Sequence, residues 1–168
     1  RIHEKLYRPV PKLTALSDGE ARDWRYSVKK PTDGWGAEEY KDSGWKSGAG
    51  PFGYTPGEKV GTGWQGEKLY LRRRFRLDRV PEKASLSILF KGQSRREVQN
   101  GRVYLNGILI HDNQERQRKA ELRVSEIMLR SEMVELLRRG RNSLAVEVSV
   151  GKETGPRLFD ISLRRVEE

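Results

Sequence analysis

From residue 69 to residue 77 the chain reads Leu-Tyr-Leu-Arg-Arg-Arg-Phe-Arg-Leu, with an apolar side chain returning at alternate positions Leu69, Leu71, Phe75 and Leu77. Side chains alternate across a strand with period two but wind around a helix with period 3.6, so this pattern reads as strand. The alternation recurs at Ala84, Leu86, Ile88 and Phe90, then at Leu144, Val146, Val148 and Val150, and again at Phe159, Ile161 and Leu163. Strands with one oily face have to stack two deep around a shared interior. An all-β β-sandwich follows. Asn106-Gly107 separates the apolar runs 102–105 and 108–110, and a type I′ turn with positive φ at both central residues is expected there. One short helix is expected over 131–139, with Ser131 as N-cap, Met133, Val134, Leu136 and Leu137 on its apolar side, and Gly140 as its stop.

The first third is less regular. Pro9 and Pro11 favour an extended arm over 1–18, which leaves 19–168 for the sandwich. Residues 24–28 read as a short strand. Residues 31–68 are crowded with Gly, Pro, Ser, Asp and Trp and read as one long loop, the first place to look for a site. Within it Asp42 and Ser43 can turn the chain by bonding their own backbone, which drops Trp45 onto the sandwich. Residues 111–119 are polar and read as a solvated connection.

Composition narrows the function. The 34 Lys and Arg against 24 Asp and Glu leave a formal charge of +10, an excess that attracts an acidic partner and says nothing of fold. With no cysteine, disulfides, thiolate metal ligation and a Cys nucleophile are excluded. The two histidines, His3 and His111, do not supply a multi-His metal site or point to a His-based triad. Glu38 with Glu39, or Asp112 with Glu115, are conceivable acid and base pairs, but both read as solvated. No apolar run approaches the roughly 18 residues of a membrane span. The start at Arg1 without Met or signal region reads as a processed or excised piece of a longer protein.

The order of motifs resembles the galactose-binding-like jelly-roll modules that accompany glycoside hydrolases, including the sugar-binding domain of family 2 enzymes. The resemblance runs through Trp24, residues 40–45 (Tyr-Lys-Asp-Ser-Gly-Trp), 50–54 (Gly-Pro-Phe-Gly-Tyr) and 62–64 (Thr-Gly-Trp). It continues through 69–73, Val103 to Gly107 with its Leu-Asn-Gly, 137–146 and 159–163. It spans nearly the whole chain and implies a jelly-roll sandwich. It also implies a non-catalytic accessory module in a secreted or periplasmic bacterial multidomain protein, beside a catalytic domain. Such modules range from glycan binders to structural domains, so a purely structural or protein-docking role is the alternative, and a polysaccharide hydrolase or lyase a weaker one. No cofactor is implied. A structural calcium on loop carbonyls with Asp33 or Asp42 is compatible with the resemblance.

Flat aromatic rings are what pyranoses stack on, so Trp35, Tyr54 and Trp64 in the Gly-rich stretch are candidate ligand contacts, with Trp45 and Phe52 read as structural. Trp64, flanked by Thr62-Gly63 and Gln65-Gly66, is expected at an exposed tip. Arg72, Arg74 and Arg76 share one strand face and form a comb able to hold carboxylate or sulfate; the plainer reading is a solvated face paired with acids such as Glu147. Arg73 falls inward and needs a partner, with Asp160 and Glu147 as candidates. A second basic cluster comprises Arg116, Arg118, Lys119, Arg138, Arg139 and Arg141. Basic residues without interleaved aromatics do not make a nucleic-acid reader, so carbohydrate, acidic polysaccharide in particular, is the expected partner.

Overall fold

The structure, a computed structural model, describes residues 24–92, 98–115, 122–150 and 155–166. The arm expected over 1–18 and the basic residues 116, 118 and 119 lie outside them.

Two sheets face each other. The first has the order β2-β1-β5-β10-β7-β8 and the second β4-β3-β11-β6-β9. The strands are β1 (Trp24–Ser27), β2 (Lys46–Gly48), β3 (Phe52–Tyr54), β4 (Thr62–Gly63), β5 (Lys68–Leu77), β6 (Ala84–Lys91), β7 (Val98–Leu105), β8 (Ile108–Glu115), β9 (Arg123–Met128), β10 (Gly140–Ser149) and β11 (Arg157–Arg165). Every pairing is antiparallel except β3 with β4. Leu69 and Leu71 of β5 and Val146 and Val148 of β10 are fully buried against Phe52, Leu86, Ile88 and Phe159 of the opposite sheet. The period-two runs therefore form the core as their spacing requires.

The Asn-Gly turn is where the sequence puts it, with φ of 50° at Asn106 and 85° at Gly107. Its arms are longer than expected. Residues 111–115, read as a solvated connection, continue β8 opposite β7 as far as Val98 and Glu115, because an antiparallel ladder bonds through the backbone and tolerates polar side chains on a wet face. The stretch 31–68 is not one loop either: it contains β2, β3 and β4.

The helix is a single turn, α1 (Ser131–Val134), preceded by Arg130 and not capped by Ser131. It loses its repeat early because the Leu136 and Leu137 amides bond only three residues back, to Met133 and Val134 carbonyls.

Candidate functional site

The outer face of the first sheet carries a roof made of residues 28–45. Outward-pointing side chains of β5, β10 and β7 hold it down. Arg72, 1 % exposed, donates through Nε to Asp42 Oδ2 at 2.9 Å and through Nη1 to the Trp35 carbonyl, and its guanidinium lies 5.1 Å from the centre of the Tyr40 ring. Arg74 donates Nη1 to both Asp42 oxygens, at 3.1 and 3.0 Å, Nε to the Glu38 carbonyl at 3.1 Å and Nη2 to the Tyr40 carbonyl. From β10, Ser143 Oγ donates to the Gly36 carbonyl at 3.3 Å. A Cβ on Gly36 would stand 3.4 Å from Tyr104, so the roof backbone lies in close contact with β7 here.

The charge logic explains why Arg72 faces outward yet is buried, while Arg74 reaches the same carboxylate from a more exposed position. Burial alone would raise the Asp42 carboxyl, but hydrogen bonds and charge from Arg72 and Arg74 outweigh it and hold the group below its ordinary value. One carboxylate shared by two guanidiniums is a strong, directional clasp. It leaves both Asp42 oxygens engaged and unsuited to calcium, and among the described residues no group of three His, Cys, Asp or Glu gathers for a metal. The chain does turn at Asp42–Ser43, but through a backbone bond from the Trp45 amide to the Asp42 carbonyl at 2.9 Å, the Asp42 side chain being used by the arginines instead of by its own backbone.

Above the clasp the aromatic rings interlock. Trp35 stacks on Trp45 at 6.4 Å and meets Tyr70 and Tyr104 edge-on at 5.4 and 5.6 Å, while Tyr40 meets Trp45 at 6.0 Å. Trp35, Trp45 and Tyr40 are half-buried, so each pins the roof and also shows an edge or face to solvent. Beside them burial raises the Tyr70 phenol, with the charge and hydrogen bond of Glu147 adding to it. Glu147 also pairs with Lys68 at 3.4 Å and lies 3.8 Å from Arg102, which in turn reaches Asp112 at 3.5 Å. Glu147 is thus engaged with Tyr70, Lys68 and Arg102, and the acid on Arg72 and Arg74 is Asp42.

The structure separates the expected ligand contacts. Trp64 is 4 % exposed, its Nε1 donates to the Lys68 carbonyl at 3.1 Å, and the Arg157 guanidinium lies 5.6 Å over its ring. It is a core residue, and the exposed-tip expectation is corrected. Of the flanking glycines, Gly66 marks close packing, since a Cβ there would meet Trp64 Nε1 at 3.3 Å, whereas Gly63 has open space around it. Arg72 is likewise removed from any ligand by its burial, and Arg74 is committed to the roof. Tyr54 is 49 % exposed at the end of β3. Trp35 and Arg76 remain accessible on the first sheet. Phe52 and Trp24 are buried.

Two polar groups that sequence reading underrated are structural. Asn142, fully buried, accepts the Arg138 amide at 2.9 Å and donates to the Arg138 and Gly140 carbonyls at 2.8 and 3.1 Å. Asn106 donates to the Leu136 carbonyl at 2.8 Å and to Asn142 Oδ1 at 3.0 Å, and accepts the Ser143 amide at 2.8 Å. The signal was present, since Asn rather than Asp at both positions supplies donors and acceptors together without a charge.

Arg73 lies 4.9 Å over the Trp24 ring, and its charge acts on Asp160. Burial pushes the Asp160 carboxyl up, and the Ile161 amide and Arg73 only partly oppose this. An acid whose folded pKa is raised keeps its proton more tightly when folded, so stability falls as pH rises from the ordinary value of 3.8 through the folded one. Thermal melts are therefore expected to show Asp160→Asn gaining on the parent as pH rises from about 3 to about 7. Curves that stay parallel would mean that Arg73 and the amide fully offset the burial.

No known family model matches the chain, and none of the curated proteins does. Solved structures share the fold. A glycosyl hydrolase family 2 member from Bacteroides cellulosilyticus aligns with TM-score 0.53 and 14 % identity over 87 % of this chain and 20 % of its own. A β-glucuronidase from glycoside hydrolase family 2 aligns at 0.51 and 16 % over 84 % and 17 %, and Bacteroides uniformis β-glucuronidase 2 at 0.50 and 16 % over the same shares. The chain therefore spans about a fifth of the length of these structures.

Proposed function

We propose that this chain is a non-catalytic accessory domain of a larger, exported glycoside hydrolase, which braces the catalytic domain and offers carbohydrate the half-exposed rings of its roof, with acidic sugars favoured. The observation that carries this reading is the fold itself: a two-sheet jelly roll of the kind that makes up 20 % and 17 % of the aligned family 2 structures. The geometry of the roof adds to it. Trp35 and Trp45 are ordered by their neighbours before any ligand arrives, and pre-ordered aromatic faces stack on sugars at little entropic cost. Catalysis finds less support. Asp112 is engaged by Arg102, and Asp42 by two arginines.

Electrophoresis through gels containing neutral or acidic polysaccharides tests the carbohydrate half. Retardation is expected, and Trp35→Ala should weaken it about tenfold, equivalent to roughly 1.4 kcal/mol. Because Trp35 also packs on Tyr70 and Tyr104, Trp35→Phe serves as the variant that keeps a ring there. It should be intermediate. Indifference of both variants would remove the roof as the platform, and no retardation by any polysaccharide would leave the bracing role alone.

A further inference from the structure

Where β5 leaves the roof, the register sets Arg76 directly opposite Arg141 of β10. Arg76 follows the outward parity of Arg72 and Arg74, and its partner shares that face; both are exposed. Directly opposed residues on antiparallel strands have Cα atoms about 4.5–5.5 Å apart, and like charges so placed repel. Among the described residues neither side chain makes an ion pair or hydrogen bond, in contrast to Arg74 and Arg72 one and two steps along the same face. Arg138 and Arg139, also exposed, enter β10 at the same end. Asp78 is an acid nearby in the chain, exposed and likewise without an ion pair among the described residues.

We propose that Arg76 and Arg141 form an anion subsite that takes the carboxylate of an acidic polysaccharide, a uronate, between two guanidinium forks. The planar fork of arginine pairs both oxygens of an acid, and two forks on adjacent strands bracket one such group. A ligand carboxylate there relieves the cross-strand repulsion that the protein leaves uncompensated. Nucleic acid fits the patch less well, since bases bind by stacking on rings, and among the described residues neither Arg76 nor Arg141 lies against an aromatic ring. The subsite rests on the carbohydrate-binding reading above but differs from the sequence-based comb, two of whose three teeth are spent on the roof.

The test is affinity electrophoresis in polygalacturonate, with neutral galactan and a single-stranded oligonucleotide as separate arms. The double variant Arg76→Gln/Arg141→Gln is expected to lose at least about tenfold in polygalacturonate affinity, the scale of one lost charge-assisted contact. Its galactan behaviour should be unchanged. Lys29→Gln/Lys30→Gln, two exposed lysines, removes the same charge elsewhere and should change affinity less than about twofold if long-range attraction is minor. Arg76→Lys/Arg141→Lys keeps charge without the fork and should fall between.

Equal losses in the glutamine and lysine-site variants would overturn the subsite in favour of diffuse attraction, as would equal retention of the oligonucleotide and the polyuronate. Binding to galactan with none to polygalacturonate overturns the subsite while leaving the carbohydrate reading intact. Absence of binding in both sugar arms defeats both. Circular dichroism confirms that each variant is folded, which exposed positions should allow.

Discussion

Asp42→Ala is expected to destabilise the protein by about 3–5 kcal/mol, the range for breaking one side of a buried ion pair. The cost arises less from losing attraction than from stranding Arg72, which is 1 % exposed and whose Nη2 already has no hydrogen-bond partner among the described residues. At this chain length each kcal/mol shifts the melting temperature by about 2–4 °C, so a drop of roughly 6–20 °C should be read in a thermal scan. Amide hydrogen exchange should show the roof opening before the sandwich. The variant Arg72→Met/Asp42→Leu removes both charges together and should recover most of the loss, because a buried pair is often no better than an apolar replacement. If Asp42→Ala melts within a degree or two of the parent, the clasp is not what holds the roof. The sign with pH follows from the depressed carboxyl: its contribution is present above the ordinary aspartate value of 3.8 and is lost as pH falls through the lower folded value. The roof should therefore release in strong acid.

The second large effect is expected at Asn142. Its side chain bonds the Arg138 amide and the Arg138 and Gly140 carbonyls, and it accepts from Asn106. Asn142→Ala leaves several buried backbone groups unpaired at about 1–3 kcal/mol for each that water cannot reach. A net loss of roughly 3 kcal/mol is expected by chemical denaturation, with the slope on denaturant unchanged. Asn142→Asp should cost at least as much, since it exchanges two donors for a buried charge. Asn106→Ala loosens the same knot from the hairpin side, and the double variant should cost less than the sum of the two. Additive losses would mean that the two asparagines act separately.

What could be foreseen from the residues divides along one physical line. Runs such as Leu69 to Leu77 carry their fold openly, because burying one face of a strand forces an alternation that nothing else imitates. β9 was not foreseen, since its inner parity is mixed: Ile127 packs against the core but Ser125 shares its side opposite Ile88, while Val124 and Met128 are 61 % and 57 % exposed. An edge strand at the rim of a sandwich need not bury its apolar side chains. The roof was misjudged for a related reason. Alternation shows that Arg72 and Arg74 face outward, but whether outward means wet depends on what folds back from 30 residues earlier in the chain, and that is a long-range fact. Trp64 was misplaced because glycine neighbours fit both an exposed tip and a tightly packed corner. Arg76 and Tyr54 stay exposed, while Trp35 keeps only part of its accessibility because Tyr70 and Tyr104 pack against it.

The uneven burial of the four indoles has a practical side. Trp24 and Trp64 are sealed at 2 % and 4 % exposure, whereas Trp35 and Trp45 lie half in solvent, stacked together. The molecule therefore holds two optical populations, one reporting the oily interior and one reporting the surface cover. A quencher or a bound sugar touches the outer pair first, so emission from a single unlabelled sample can distinguish unclasping from global melting.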